Sequence, residues 1–366
     1  MQLLGIITLA FLGIRFLVSL GNWLSQPRLQ AGQLKGSPKV SILIPARNEA
    51  HNLPHLFSQL KPLSYPHLEI LILDDHSEDE TAILIQEAQA EIGGLSYRAG
   101  APLPADWLGK NWACHQLGQA ATGDFFLFLD ADIHRLKPGF IEATIAEMEK
   151  KQLSLLSLFP NQLMITRGEQ LVVPIMHYLL LSLLPLAFIY RLPFPSMAAA
   201  NGQFMCFRAE DYRQHQWHQQ VKQVIVEDIA IMQTLKKAGK RGMTFVGNAW
   251  VHTRMYQNFQ EGIEGFSKNM LSGFGNQIWG LLVYVFFMYF AWVVVWPAFP
   301  PYAGYISIAL MLGIRAMISD LADQPILRNL LLHPLQMAIL VWIGGQSIRK
   351  KWRGKNEWKG RNLQLQ

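Results

Sequence analysis

Two aspartates one residue apart, Asp130 and Asp132, follow the apolar run Phe125-Phe-Leu-Phe-Leu129. A second acidic pair, Asp74 and Asp75, follows Glu69-Ile-Leu-Ile-Leu73, and Pro45-Ala-Arg-Asn-Glu49 follows Val40-Ser-Ile-Leu-Ile44. Four carboxylates gathered at the ends of buried strands, with Arg47 beside them, are costly unless a cation or a polar ligand is held there. An Asp-x-Asp pair can turn one oxygen from each side chain toward a divalent ion whose other ligands are phosphate oxygens and water. The chemistry this spells is a nucleotide-diphosphate site. Aspartate is also a common turn former, so the pair gains its meaning from the other strand-end motifs around it. Neither GxGxxG nor GxxxxGK[ST] occurs, which argues against a dinucleotide enzyme and a P-loop NTPase.

The elements that must position these groups alternate. Val40–Ile44 is a β-branched run ended by Pro45, and a helix is predicted from about Glu49 to Leu60. The next strand, Glu69–Leu73, leads into a predicted helix from Glu78 to Glu91 with Ser77 as its N-cap. Phe125–Leu129 is apolar at every position, as expected of a strand buried on both faces of a parallel sheet. Strands alternating with helices predict a doubly wound α/β fold, whose ligands sit at the carboxyl ends of the strands.

Beyond these motifs the chain is unusually apolar. Of 366 residues, 51% are hydrophobic and 16% charged, against about 25% charged in soluble domains, which excludes disorder and argues against an ordinary cytosolic enzyme. Cys114 and Cys206 are too few for a disulfide framework or a cysteine zinc site, and fit reducing surroundings. The net charge of +6 resides in the tail, where Arg349, Lys350, Lys351, Arg353, Lys355, Lys359 and Arg361 face the single acid Glu357. A basic cluster directly after an apolar run reads as membrane anchoring, worth about 1 kcal/mol per residue near anionic lipid, and not as a nucleic-acid partner.

Residues 1–27 carry one charge, Arg15, and Leu3–Leu24 is long enough to span hydrocarbon. Without a basic n-region or a cleavage site, the segment reads as a retained anchor. Arg28, Lys35 and Lys39 behind it place the next domain in the cytosol. Asn269–Ile314 is uncharged and broken by Pro297, Pro300 and Pro301, predicting a helical hairpin, and Asn329–Ile348 is a further uncharged run. Three C-terminal spans would put the basic tail outside, against its charge, so their number is left open at two to three. The predicted organisation is an anchor at 1–27, a cytosolic catalytic domain at 37–268, a membrane region at 269–348 and a basic tail at 349–366. Within the domain, the apolar segment 170–190 is expected to dip into the monolayer or line an acceptor channel. The whole reads as a multi-pass protein of the cell membrane.

At this point the motifs resemble the family 2 glycosyltransferases with the GT-A fold. Val40-Ser-Ile-Leu-Ile-Pro-Ala-Arg-Asn-Glu49, Leu73-Asp-Asp-His-Ser77, Phe128-Leu-Asp-Ala-Asp132 and Val226-Glu-Asp228 appear in the family's order, over about residues 38–270. Leu108-Gly-Lys-Asn-Trp-Ala113, Arg254-Met-Tyr256, Gly265-Phe-Ser-Lys-Asn269 and Trp358-Lys-Gly-Arg361 are similar to the membrane-bound branch acting on carotenoid acids and hopanoid-associated lipids. The resemblance implies that Pro45, Ala46, Arg47 and Glu49 border the nucleotide and that Asp74 and Asp75 bind its uracil and ribose. It implies Mn2+ or Mg2+ on Asp132, with Asp130 close to metal, sugar or ribose, and Lys110 and Arg254 toward the donor phosphates. Asp228 would be the general base, and Asn201, Gly202 and Gln203 would contact acceptor or sugar. Glu227 has a place in the same set, although at a helix start it is expected to point elsewhere. The donor implied is a nucleotide-diphospho-sugar, UDP-glucose by the family's habit, and the acceptor a lipid.

The Gln-x-x-Arg-Trp motif of processive synthases is missing after Asp228, where Val251-His-Thr-Arg254 stands, so a single sugar transfer is expected. Asp228 has a plain alternative role, supporting a helix N-terminus through the macrodipole. His115, His134, His215 and His218 show no metal-ligand spacing and are expected at the surface. The aromatic stripe Trp279–Trp296 reads as lipid-facing packing. Two other readings stand beside the leading one: a transferase for polyprenyl phosphate or glycan, and a non-catalytic membrane scaffold with a transferase fold.

Overall fold

The computed structural model describes residues 1–34, 36–353, 357–358 and 361–362. Lys35 and the tail lysines Lys355 and Lys359 lie outside the described residues. In chain order the strands are β1 (Val40–Ala46), β2 (Leu68–Asp74), β3 (Leu95–Ala99), β4 (Phe125–Leu129), β5 (Ile133–Leu136), β6 (Leu155–Phe159), β7 (Asn161–Gln162), β8 (Phe204–Arg208), β9 (Gly242–Val246) and β10 (Val251–Thr253).

Seven of them form one sheet in the order β3-β2-β1-β4-β8-β6-β9. Ile42 and Ile44 of β1 face a core that includes Leu53, Leu56, Ile85, Phe140 and Met148. Leu43 faces a second, with Ala113, Leu117, Tyr212, Trp217 and Ile231. Both faces are covered, which is why these strands read as unbroken apolar runs.

The sheet is mixed where the sequence predicted a parallel one. β1 pairs in parallel with β2 and β4, but β8 runs antiparallel to both β4 and β6. The consequence is local and chemical. Parallel strands deliver the residues that follow them to the site edge, whereas β8 delivers the residues that precede it. The pairing Leu129↔Phe204 therefore brings Asn201–Gln203 beside Asp130. A smaller sheet, β5-β10-β7, lies next in the chain to the Asp130–Asp132 turn, and Arg254 N–H donates to the Asp132 carbonyl at 3.3 Å.

Two predicted helices start late. They run Leu53–Leu60 and Thr81–Ala88, and Ser77 caps neither. The residues ahead of them are drawn into bonds between the two loops: Asn48 N–H donates to Ser77 Oγ, Glu78 N–H to Asn48 Oδ1, and Ala50 N–H to Asp79 Oδ2. Local side-chain bonds of this kind compete with helix formation.

His218 is a correction to the surface reading. It is 2% exposed, its Nδ1 lies 2.6 Å from the buried Tyr212 hydroxyl, and burial pushes its pKa down to about 3. His134 stacks on His55, and His215 on Trp217.

The chain divides into two compact units. One contains Arg28–Leu163 and Phe188–Arg254, and holds both sheets. The other is helical: Met1–Pro27, Met164–Ala187, and the chain from Met255 onward to the helix Ile326–Trp352. The 170–190 segment thus groups up to Ala187 with the helices, and the sheet unit closes at Arg254 where the sequence reading drew a boundary at 268.

Three helices are long and apolar enough to cross a bilayer: Gln2–Ser25, Pro301–Leu321 and Ile326–Trp352. Pro301 opens its helix, as proline without an amide hydrogen can. The expected first arm of the hairpin is helical too, and ends ahead of Pro300 and Pro301. It is a continuous helical run of Ile278–Val285, a wider turn at Phe286–Phe290 and Ala291–Ala298.

A methyl group added at Gly118 would lie 2.4 Å from the Tyr212 ring, which is held by His218 and cannot retreat. Gly118→Ala is expected to destabilise the protein by about 1–3 kcal/mol, read as a lower melting temperature in detergent. Gly13→Ala, with open space around it in the first helix, is the control and should leave the melting temperature unchanged or raised.

Candidate active site

The edge of the sheet where β1, β2 and β4 end is built from three linked groups of residues. The first is the pair of loops after β1 and β2. The Arg47 guanidinium donates to the carbonyls of Asp75 and His76, both at 2.7 Å, and pairs with Glu78 at 3.3 Å. Asp75 N–H donates to the Ala46 carbonyl at 2.8 Å, and Glu49 N–H to Thr81 Oγ1 at 2.8 Å. Asn48 and His76 have φ of 52° and 55°, in the left-handed region, which asparagine and histidine tolerate better than most side chains. These bonds fix the floor on which Asp74 and Asp75 stand. Asp74 accepts the Ser77 amide at 3.2 Å, and both aspartates are buried.

The second group is ionic. The Lys110 ammonium, one residue into the helix Gly109–Ala120, lies 2.9 Å from Asp130 and 3.2 Å from Glu227. Burial alone would pull its pKa down, but the two carboxylates outweigh burial and hold it well above the ordinary lysine range. Glu227 was expected to point away, and it does not. Glu227 and Asp228 form the first turn of the helix Glu227–Lys237, and both reach the site because residue 202 has no side chain. A Cβ at Gly202 would stand 3.1 Å from Glu227 Oε1, 3.2 Å from Lys110 Nζ and 3.7 Å from Asp228 Oδ2.

Asp228 itself is anchored by two amides. Its Oδ2 accepts the Gly202 N–H at 2.9 Å, and its Oδ1 accepts the Ile229 N–H at 2.8 Å. Burial first, and Glu227 second, push its pKa up to about 7, against the lowering effect of those amides and of Lys110. The carboxylate is thus held in one orientation with a proton affinity suited to a base at neutral pH.

The third group surrounds Asp132. Its Oδ2 accepts Gln203 Nε2 at 2.6 Å, while its Oδ1 is buried with no hydrogen-bond partner. Burial, Asp130 and Glu49 raise its pKa to about 7. A buried carboxylate oxygen without a donor, repelled by neighbouring carboxylates, fits a hard divalent cation. Among the described residues no group of three or more His, Cys, Asp or Glu forms a complete metal cage, so a cation held by Asp132 and Asp130 would take its remaining oxygens from ligand and water.

The structure therefore brings together Lys110, Asp130, Asp132, Gly202, Gln203, Glu227 and Asp228 from the predicted set. Asn201 belongs to the support: its N–H donates to Ser157 Oγ at 2.8 Å, and its Oδ1 accepts the Gln203 amide at 2.8 Å. Pro45 and Ala46 are the last residues of β1, and Arg47 acts on the β2 loop backbone. Arg254 reaches the Asp132 carbonyl through its backbone. Two supporting residues escaped the sequence reading. Gln162 Nε2 donates to Gln203 Oε1 at 3.3 Å, and Ser157 holds Asn201 from both sides. Both lie in or just after Leu155–Phe159, an apolar strand followed by Pro160-Asn-Gln162. The strand-end rule applied to that run would have found Gln162; Ser157, inside the strand, carries no such signal.

Residues 41–208 match the family model of glycosyl transferase family 2. A 4,4'-diaponeurosporenoate glycosyltransferase of Staphylococcus haemolyticus (strain JCSC1435) is 27% identical over 242 residues, 64% of this chain; the match spans 61% of that relative's length. Its namesake in Staphylococcus aureus (strain MRSA252) is 26% identical over 349 residues, covering 89% of this chain and 88% of that protein. In fold, the chain is similar to the mannosyltransferase PcManGT from Pyrobaculum calidifontis, solved in complex with GDP-Man and Mn2+. The TM-score is 0.58 at 14% identity, over 96% of this chain and all of that one.

Lys110→Met leaves Asp130 and Glu227 facing each other without a cation. The pair is partly exposed, so the expected loss is about 1–3 kcal/mol, below the ~3–5 kcal/mol of a fully buried pair. Thermal melts at low and high salt check this. An unchanged melting temperature at low salt would refute the ionic assignment.

Proposed function

Residues 41–208 match the family model of glycosyl transferase family 2, and from that premise we propose that the chain is an inverting transferase. It moves one sugar from a nucleotide-diphospho-sugar to the acid end of a carotenoid-type lipid. The observation that carries the reading is the Asp228 carboxylate, fixed by the Gly202 amide beside Lys110, Asp130 and Glu227. The names of the two staphylococcal relatives supply the acceptor class.

In this reading the nucleoside lies against Asp74 and Asp75, on the floor that Arg47 fixes. The diphosphate points toward Asp130 and Asp132. Mn2+ or Mg2+ bound by Asp132 and Asp130 would supply positive charge to the departing diphosphate. Lys110 neutralises Asp130 and Glu227, so that a donor anion can approach an otherwise acidic edge. The acceptor oxygen attacks the anomeric carbon from the face opposite the diphosphate. The bond to the phosphate oxygen breaks, and the acceptor's proton passes to Asp228. An apolar lipid phase keeps the acceptor acid protonated, so it brings its proton to the site, where Asp228, raised to about 7, takes it as the ester bond forms. Gly202 leaves the room in which sugar and acceptor meet, with Asn201 and Gln203 on its flanks. The donor nucleotide is taken to be UDP and the sugar glucose on the family resemblance.

The helices support a membrane location, and in this reading three of them cross. With Gln2–Ser25 crossing inward and Pro301–Leu321 and Ile326–Trp352 crossing out and back, the basic tail returns to the side of the catalytic domain, as the positive-inside rule requires. In this reading the helical run 278–298 lies at the interface, because a fourth crossing would put the basic tail opposite the catalytic domain. The protein is then a multi-pass enzyme of the cell membrane facing the cytoplasm.

The test is transfer of labelled sugar to the organic phase by membranes containing the protein. A UDP-sugar panel is supplied with Mn2+ or Mg2+, and a carotenoid acid competes with polyprenyl phosphate as acceptor. Asp228→Asn is expected to lose about 10²–10⁴-fold in turnover, with donor binding retained. Wild-type turnover should climb with pH and level off above about 7, because Asp228 must be ionised to accept the proton. Preference for polyprenyl phosphate would reassign the acceptor. Absence of turnover and of nucleotide binding with every donor would leave the non-catalytic scaffold.

A further inference from the structure

Two guanidinium groups lie inside the helical unit with no carboxylate to neutralise them. Arg15, on the helix Gln2–Ser25, is 2% exposed, and Arg315, on Pro301–Leu321, is 0% exposed. Their Cζ atoms each lie 5.0 Å from the centre of the Tyr178 ring, so two positive charges converge on one aromatic side chain. Among the described residues neither makes an ion pair, and their hydrogen bonds go to neutral groups. Arg15 donates to Ser182 Oγ at 3.0 and 3.3 Å; Arg315 donates to the Pro174 carbonyl at 3.3 Å and to Gln336 Oε1.

Donors are left over. Arg315 Nε is buried without a partner, and so are both ring nitrogens of His333, whose ring sits 5.1 Å from that of Tyr178. Gln336 offers no compensation, since its own Nε2 is engaged by the Gln170 carbonyl at 3.0 Å and by Asn329 Oδ1 at 3.3 Å.

A buried charge is costly unless it is paired, and a cation–π contact offsets only part of that cost. A strut between helices needs hydrogen bonds or packing, and requires neither two charges nor unsatisfied donors beside them. Ionisable groups inside a membrane-embedded bundle mark ligand sites by default. The missing element is negative, rich in acceptor oxygens and without donors of its own.

We propose that Arg15, Arg315 and His333 around Tyr178 form a binding site for the oxyanion headgroup, carboxylate or phosphate, of a membrane amphiphile. The inference rests on reading the helical unit as membrane-embedded. Arg15 stands about 15 Å along its helix from Ser25, within the hydrocarbon. An anion reaching it therefore arrives with an apolar chain that replaces its hydration. The ligand's headgroup accepts from Arg315 Nε and His333 and shares the charge of Arg15. Its chain lies along the helices that line the cluster.

The full-length protein, stripped of lipid in dodecyl maltoside, is titrated with palmitate, with phosphatidylglycerol, with inorganic phosphate and with methyl palmitate. The melting temperature and retained lipid in native mass spectra are read, and neither depends on turnover. Failure of the transferase reading and failure of this one are therefore separate results. Palmitate or phosphatidylglycerol is expected to raise the melting temperature with dose, and the one that does so names the source of the headgroup. Methyl palmitate, which lacks the charge, should not. Arg15→Gln and Arg315→Gln should each weaken binding by about tenfold or more, yet melt no lower than wild type without ligand, since each removes an uncompensated charge. His333→Phe keeps both guanidinium groups and should also weaken binding, which preserves the test if an arginine variant fails to fold. The proposal is overturned if methyl palmitate stabilises equally, if inorganic phosphate alone accounts for the shift, if no amphiphile binds, or if the variants bind as wild type does.

Discussion

The acidic edge of the sheet holds together because the Lys110 ammonium lies between Asp130 and Glu227. Asp74, Asp75, Asp130, Asp132, Glu227 and Asp228 all emerge at this edge or at the helix start beside it. Their mutual repulsion in a low-dielectric setting would otherwise drive the loops apart or keep the groups protonated. One lysine on the first turn of Gly109–Ala120 offsets two of them, Asp130 and Glu227. Asp132 and Asp228 remain strained, with pKa values pushed up to about 7. That residual repulsion favours whatever neutralises them, a cation or a proton.

Geometry does the rest through a single antiparallel strand. Had β8 run parallel to β4, Asn201–Gln203 would stand at the opposite edge of the sheet, and Asp132 would lose the Gln203 amide. The reversal also places Gly202 against the first turn of Glu227–Lys237. Its backbone N–H can then orient Asp228 without a side chain occupying the space. Ser157 and Gln162 fix this turn from the neighbouring strand and its extension. The clustered carboxylates and Lys110 thus rest on or beside regular structure, which fixes their positions relative to one another.

The charged groups of the sheet-edge site and the buried arginines of the helical unit have different surroundings. In the sheet unit, Lys110 is matched by carboxylates, and the Arg47 guanidinium by two carbonyls and Glu78. In the helical unit, Arg15 and Arg315 meet only neutral partners and an aromatic ring. The contrast is physical information. A folded chain tolerates an uncompensated interior charge chiefly where something else completes it.

How much of this was legible in the sequence depends on the range of the interaction. Strand ends could be read directly, because an apolar run that stops at a proline or an aspartate is a local signal. Asp74, Asp75, Asp130 and Asp132 were found that way, as were the long apolar helices, which an extended uncharged run announces locally. Family motifs supplied Asp228 and Gly202. What the sequence misjudged was set by distant partners. Ser77 was read as a helix cap, but Asn48 claims it from another loop. Glu227 was expected to face away, but Lys110 draws it in across more than a hundred residues. His218 was assigned to the surface, yet Tyr212 binds it inside the core. Composition and periodicity determined which elements form and which strand ends carry charge. Only the tertiary structure decided the direction of β8, the pairing of charges and the burial of arginines, because those depend on contacts between residues that no local pattern connects.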